Sequence, residues 1–220
     1  MNKYSKKKLN LLYIYILIFL FVVFMFFSSQ IFAKNNDEII SKIENYFNNI
    51  NTLQAEFIQI DHYGNSKSGV LRMAKPGKIR FEYDKPSSII IISDGQYIIF
   101  FDKKLGQINR IPKNKIPIKF LIDDKFSFKK NEILIKNLNY DGNVISITIK
   151  DNKNHFSGDL TLLFEDKPLV LRQWIIQDSQ GFTTKVSLQE ISTDIVINDT
   201  YFKFNYQENF DKINKSFLPE

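Results

Sequence analysis

A chain of 220 residues, 44% of them hydrophobic and none of them cysteine, must be held by its core alone, without disulfides or thiolate-bound metal. Its 30 basic and 24 acidic residues give a formal charge of +6. Four of those cations, Lys3, Lys6, Lys7 and Lys8, lie in the first 33 residues, so the rest carries only +2, which excludes the basic footprint of a nucleic-acid binder.

The same four lysines open a secretory signal. They precede an uncharged apolar run, Leu11 to Phe27, and a short polar and small-residue stretch that ends in Ile-Phe-Ala, with cleavage expected after Ala33. An uncleaved anchor is the alternative, since the run is at the short end of what spans a bilayer. The chain after it, about 187 residues from 34 to 220, reads as one domain without linker or repeat. Asn36 or Asp37 is expected to cap a helix of about 14 residues. Its apolar positions, Ile39, Ile40, Ile43, Tyr46, Phe47 and Ile50, recur at three- and four-residue spacing on one side.

From Leu53 the apolar period changes to two. LQAEFIQID, the two halves of LRMAKPGKIRFEY, SSIIIIS, QYIIFF, VISITIK, LTLLF, LVLRQWIIQ, FTTKVSL and TYFKF all read as strands. Asp94-Gly95, Asp141-Gly142-Asn143, Asp166-Lys167-Pro168 and Ser179-Gln180-Gly181 mark turns between them. Ten or eleven strands with short links form an antiparallel meander, and a sheet that large curls or closes. Arg110 to Phe128 is the exception: two prolines and an apolar knot that includes Phe120 and Leu121 mark a long excursion of the lid type.

In LRMAKPGKIRFEY the apolar residues keep one register through the turn. A two-residue loop would pair Met73 with Arg80. An odd loop, Lys75-Pro76-Gly77, pairs Met73 with Ile79 and Leu71 with Phe81, leaving Arg72, Arg80 and Glu82 outside. Pro76 restricts Lys75 to extended backbone at the rim of the sheet.

Catalytic patterns are lacking. His62 and His155 have no partner at metal-ligand spacing, and no nucleophile elbow, phosphate loop or dinucleotide turn is present. Surplus apolar surface remains instead. IIII at 89–92, YIIFF at 97–101 and LTLLF at 160–164 are apolar on both faces, so a second face has to be filled by the helix or by a ligand. A β-domain with the helix as a permanent plug stays open at this point.

The strand ending in Lys-Pro, then Gly and Arg-Phe-Glu-Tyr, resembles the outer-membrane lipoprotein carrier protein (LolA) family. Leu53-Gln-Ala-Glu-Phe57-Ile-Gln59 is similar to that family's first strand, Ser93-Asp94-Gly95 to its next turn, and Trp174 with Gly181-Phe-Thr to its late hairpin. Thr200-Tyr-Phe-Lys-Phe204 is similar to its terminal strand, and the likeness spans about residues 37 to 206. The resemblance implies an incomplete antiparallel β-barrel of ten or eleven strands, mainly β with a helical lid, enclosing an apolar cavity. It implies a periplasmic carrier, neither an enzyme nor in need of a cofactor or metal, and a monomer. Such a carrier takes acylated lipoproteins from an inner-membrane ABC transporter and passes them to an outer-membrane receptor where there is one.

On that reading Phe57, Leu71, Met73, Ile79, Phe81 and Tyr83 line the acyl-chain cavity, and Ile43, Phe47, Phe120 and Leu121 belong to the lid. The family's latch is an arginine before the proline, bonded to the lid in the closed state. Lys75 stands there instead, with three donors on a flexible stem in place of a planar fork. A related half-barrel that carries free lipids or senses mislocalised lipoproteins is the alternative function.

Overall fold

The computed structural model describes residues 36–151 and 158–205. The expected signal (1–33), His155 and the tail after Phe204-Asn205 lie outside these residues. The chain divides into two compact units, Met1–Ile43 and Glu44–Glu220. The expected helix α1 runs over residues 36–49, with Asn36 and Asp37 already inside it. Ile39 and Ile43 are its buried positions in the smaller unit, Phe47 in the larger.

The larger unit is an antiparallel sheet of β1 (Thr52–Ile60), β2 (Ser66–Ala74), β3 (Lys78–Tyr83), β4 (Ile89–Asp94), β5 (Tyr97–Asp102), β6 (Gln107–Pro112), β7 (Ile133–Asp141), β8 (Val144–Asp151), β9 (Gly158–Glu165), β10 (Val170–Asp178) and β11 (Thr183–Thr193). Their order is β6-β5-β4-β3-β2-β1-β11-β10-β9-β8-β7. Two meanders are thus joined at the seam between β1 and β11. The outer edges β6 and β7 are consecutive in the chain, do not pair with each other among the described residues, and are linked by residues 113–132.

The sheet curls steeply. β3 and β10 are four strand spacings apart, about 19 Å in a flat sheet. Yet the rings of Phe81 on β3 and Trp174 on β10 have centroids 6.3 Å apart. Register shifts in β1 (Gln54/Glu56), β7 (Ile135/Asn137) and β10 (Leu171/Gln173) add local bend.

The β2–β3 hairpin has the expected odd register, Leu71 opposite Phe81 and Met73 opposite Ile79. Gly69 lies between Phe57 and Tyr83 in neighbouring strands. With no side chain there, those two rings meet edge to face at 5.0 Å. A Cβ at Gly69 would stand 2.1 Å from the Glu82 carbonyl oxygen and 2.8 Å from Tyr83 Cα. Gly69→Ala is therefore expected to cost about 1–3 kcal/mol as the two strands move apart, which a shift of the urea midpoint at constant slope would register.

Two further sequence expectations need correction. Arg110–Pro112 belong to edge strand β6, where a proline is tolerated, rather than to the excursion. The excursion holds two short 3₁₀ helices, Lys113–Lys115 and Lys119–Leu121. Thr200–Phe204 is not a strand. Asn198 Oδ1 accepts the Thr200 N–H at 3.0 Å and caps a 3₁₀ helix over Asp199–Phe202.

This last segment straps the outer face of β3–β5, so neither a helix nor a ligand is needed there. Phe202 is buried, and Phe204 packs against Ile90, Ile92 and Ile99 and meets the Phe101 ring at 5.3 Å. The charged positions of the β2–β3 hairpin hold the strap in place. Lys78 Nζ bonds Asp199 at 2.8 Å, Arg80 donates to the Tyr201 carbonyl at 3.1 Å, and the Arg72 guanidinium lies 4.5 Å over the Tyr201 ring. Burial alone would raise the Glu82 carboxyl, but the Arg80 hydrogen bond and the charges of Arg80, Lys103 and Arg72 hold it below the usual range.

Candidate functional site

The concave face encloses a cavity of about 150 Å³. Ile79, Phe81 and Tyr83 of β3 line it, beside Ile91 on β4 and Ile98 and Phe100 on β5. Across the curl it is closed by Trp174 and Ile176 of β10, Thr184 and Val186 of β11, and Gln59 of β1. Ile116, Pro117 and Ile118 from the excursion form the remaining wall. The strand alternation delivers this face: Phe81 stands opposite Ile91, which stands opposite Phe100.

The cavity is polar at one end only. Burial pushes the Tyr83 hydroxyl up to about 12, so it stays protonated and donates to Gln59 Oε1 at 2.7 Å. At the excursion end the lining is isoleucine and proline.

Of the six residues expected at the cavity, Ile79, Phe81 and Tyr83 line it. Phe57 is buried behind them, its ring 5.4 Å from Phe81. Leu71 and Met73 are buried in the same face of β2. Trp174, Val186 and Ile98 are lining residues that sequence reasoning did not single out. Only the β1–β11 pairing, between segments far apart in the chain, reveals that Trp174 and Val186 close the cavity opposite Phe81.

The excursion is tied to the last turns of α1. Asn48 Nδ2 donates to the Phe126 carbonyl at 2.9 Å while its Oδ1 accepts the Phe126 N–H at 2.7 Å, and Glu44 accepts the Phe128 N–H at 2.7 Å. Phe47 is buried in an aromatic cluster, 4.8 Å from Phe120, 5.4 Å from Phe126 and 5.8 Å from Phe164. Tyr46 accepts the Leu171 N–H at the β10 bulge, at 3.1 Å, and burial raises its hydroxyl. Phe120 also lines a void of about 20 Å³ under the excursion. Leu121 is buried, and Ile43, the last residue of the smaller unit, is fully buried.

Lys75, at the bend between β2 and β3, donates from Nζ to the Phe47 carbonyl at 2.6 Å. The neighbouring Gly77 N–H reaches the Ile122 carbonyl at 2.7 Å. One hairpin turn therefore bonds both α1 and the excursion. Against this, the stretch that walls the cavity is lightly held: the amides of Ile116 and Lys119 reach their 3₁₀ acceptors only at 3.4 Å. Ion pairs of Lys113 with Asp123 and Lys119 with Asp151, each 3.3 Å, flank it. Among the described residues no group of three or more His, Cys, Asp or Glu is placed to hold a metal, and no helix is long and apolar enough to cross a membrane.

An uncompleted antiparallel barrel with an apolar cavity, bridged between its free edges by one segment, defines a half-barrel binding fold. The family follows from comparison of the sequence. Residues 48–205 match the family model described as outer membrane lipoprotein carrier protein LolA, and the chain belongs to that family. It is 26% identical over 204 residues to an outer-membrane lipoprotein carrier protein of Nitrosospira multiformis, covering 89% of this chain and 96% of that one. It is likewise 26% identical over 194 residues to an uncharacterised protein of Rickettsia prowazekii, covering 88% and 89%. Among solved structures, a DUF1329 family protein from Desulfovibrio piger shares the fold, with a TM-score of 0.51 at 10% identity over 74% of this chain and 94% of that one.

Proposed function

We propose that this protein is a periplasmic carrier that shelters the acyl chains of lipoproteins in the cavity of its half-barrel. It receives them from an inner-membrane ABC transporter and delivers them to the outer membrane. On this reading residues 1–33 are a cleaved signal, residues 34–220 form the carrier domain, and the protein acts as a monomer that performs no catalysis and needs no cofactor. Family membership supports the reading. The observation that carries it for this chain is the apolar cavity walled by β3, β4, β5, β10 and β11 and closed by Ile116–Ile118.

The size of the cavity supports a way of working. At about 150 Å³ it is smaller than the roughly 300–1,000 Å³ of a site that engulfs a sizeable ligand. The acyl chains enter by displacing the wall that is held least, Ile116–Ile118. Each buried methylene contributes about 0.8 kcal/mol, so full burial of several chains would sum to tens of kcal/mol. A carrier that tight could not release its cargo in a compartment without ATP. Return of the displaced isoleucines to the cavity offsets part of that binding and helps to expel the cargo. Phe47, Phe120 and Leu121 form the body of the lid behind them, Ile43 belongs to the lid through α1, and Lys75 is its latch.

The test is capture of a purified triacylated lipoprotein by the processed protein, with and without the inner-membrane transporter. The expected result is a soluble complex that forms with the transporter and dissolves no acyl chain into detergent-free buffer. A folded protein that leaves the lipoprotein in the membrane fraction, transporter present, contradicts the proposal.

A further inference from the structure

Two hairpin tips carry aromatic side chains that the core does not use. Tyr63, in the turn between β1 and β2, is 78% exposed, and Phe182, at the turn between β10 and β11, is 41% exposed. β1 and β11 are neighbours in the sheet, so the tips lie side by side. His62 joins them, its ring 5.5 Å from Tyr63 and 4.8 Å from Phe182. Exposed Ile60 extends the patch.

The turns are built to hold these rings outward. Asp61 Oδ1 accepts the N–H groups of Tyr63 and Asn65 at 2.9 Å each, and its Oδ2 accepts from Asn65 Nδ2 at 2.8 Å. Asp178 Oδ1 accepts the N–H groups of Gln180 and Phe182 at 2.8 and 2.9 Å. Both carboxylates are thus spent on turn geometry. The cations beside them face solvent: exposed Lys185 is opposite Ile60, and exposed Lys67 is opposite Gln59. Ile60 and Gln59 are successive strand residues, so one lysine stands on each face of the tip.

Aromatic rings at the surface, flanked by ammonium groups, suit the headgroup region of a bilayer, where rings insert and lysines meet lipid phosphates. The patch is also the rim of the cavity. Phe182 immediately precedes β11, whose Thr184 and Val186 line the cavity near its Gln59–Tyr83 end.

We propose that this double tip docks on an anionic lipid bilayer and turns the Gln59–Tyr83 end of the cavity toward it. The test uses the processed, cargo-free protein and phosphatidylcholine vesicles with and without phosphatidylglycerol, read by flotation. Because no lipoprotein is present, its outcome is separate from that of the capture experiment. The unaltered protein is expected to float with phosphatidylglycerol vesicles. A Tyr63→Ser/Phe182→Ser variant should partition about tenfold less or worse, with an unchanged urea midpoint. Lys67→Glu/Lys185→Glu should remove the gain from phosphatidylglycerol, and a Tyr63→Trp variant should blue-shift on vesicles. The proposal is overturned if the unaltered protein stays unbound, or if the Ser variant floats equally well. It is overturned too if the Ser variant instead dissolves a dimer seen in sedimentation, which would make the patch a contact between copies.

Discussion

Phe81→Asp is expected to leave the sheet folded and to abolish copurification of acylated cargo. Phe81 stands at the centre of the cavity wall, 6% exposed, with its ring against Phe57 at 5.4 Å and Trp174 at 6.3 Å. Two effects act in the same direction on binding. The lost ring removes about 1.5–3 kcal/mol of apolar contact, and an acyl chain would further have to desolvate a carboxylate, at a cost of several kcal/mol. Together they lower affinity by a hundredfold or more. The effect on folding is smaller than for an enclosed core position, because the new carboxylate faces a cavity that water can enter. Removal of the ring therefore costs less than the about 3–5 kcal/mol of a fully enclosed phenylalanine, though still a sizeable share of a typical stability. Phe100→Asp supplies the second measurement, since Phe100 is only half-buried on the same wall. Circular dichroism and urea unfolding verify the fold of both. Normal cargo copurification by either folded variant would sink the assignment of this wall to acyl chains.

What the sequence disclosed follows strand exposure. The strands read from the sequence, β1 to β5 and β8 to β11, lie inside the sheet, each with at least one apolar face. β6 and β7 are its edges, and their patterns are weaker for physical reasons. In β7 the register shift between Ile135 and Asn137 moves the apolar side chains from Ile133 and Ile135 to Leu138, breaking the period of two. β6 buries little, and its proline reads as a loop. Thr200–Phe204 has strand-like alternation, but the Asn198 cap turns it into a strap, and the cap was the available signal.

The site was legible in the same uneven way. Ile79, Phe81 and Tyr83 followed from local alternation. The opposite wall did not, because it depends on a seam between chain-distant strands. The excursion stood out by its prolines and apolar knot, but which of its residues reach the cavity is set by the 3₁₀ turns. Gly69 carried no warning at all: a glycine within a strand reads as weakness, and here it lets two aromatic rings meet.

Lys75→Met is expected to unlatch the lid. The substitution keeps the apolar stem and removes the donor to the Phe47 carbonyl. A hydrogen bond with a charged donor contributes about 1.5–3 kcal/mol, and half-burial places Lys75 at the low end of that range. About 1.4 kcal/mol is a factor of ten, so the opened population should rise about tenfold. An apolar fluorescent probe should bind correspondingly tighter, and cargo should leave more slowly because the returning lid competes less well. Unchanged probe affinity in a folded Lys75→Met variant would show that the bond is no latch. The charge on Lys75 adds a second readout. Burial lowers its pKa below the ordinary 10.5, outweighing Asp123 and Asp124, which raise it, while Lys125 adds to the lowering. The folded chain therefore gives up this proton before the unfolded chain does. Between the lowered value and 10.5 the unfolded state holds more protons, so stability rises with pH across that window. Below it the buried ammonium is a constant destabilising contribution. The stability of the unaltered protein, measured against Lys75→Met, should accordingly improve as pH climbs toward 10.5. Lys75→Arg should show no such slope, because a guanidinium stays charged throughout. A latch that carries a desolvation penalty at neutral pH is one that cargo can open. If the difference instead narrows with rising pH, attraction between the ammonium and the Phe47 carbonyl outweighs burial, and the latch is tighter than this geometry implies.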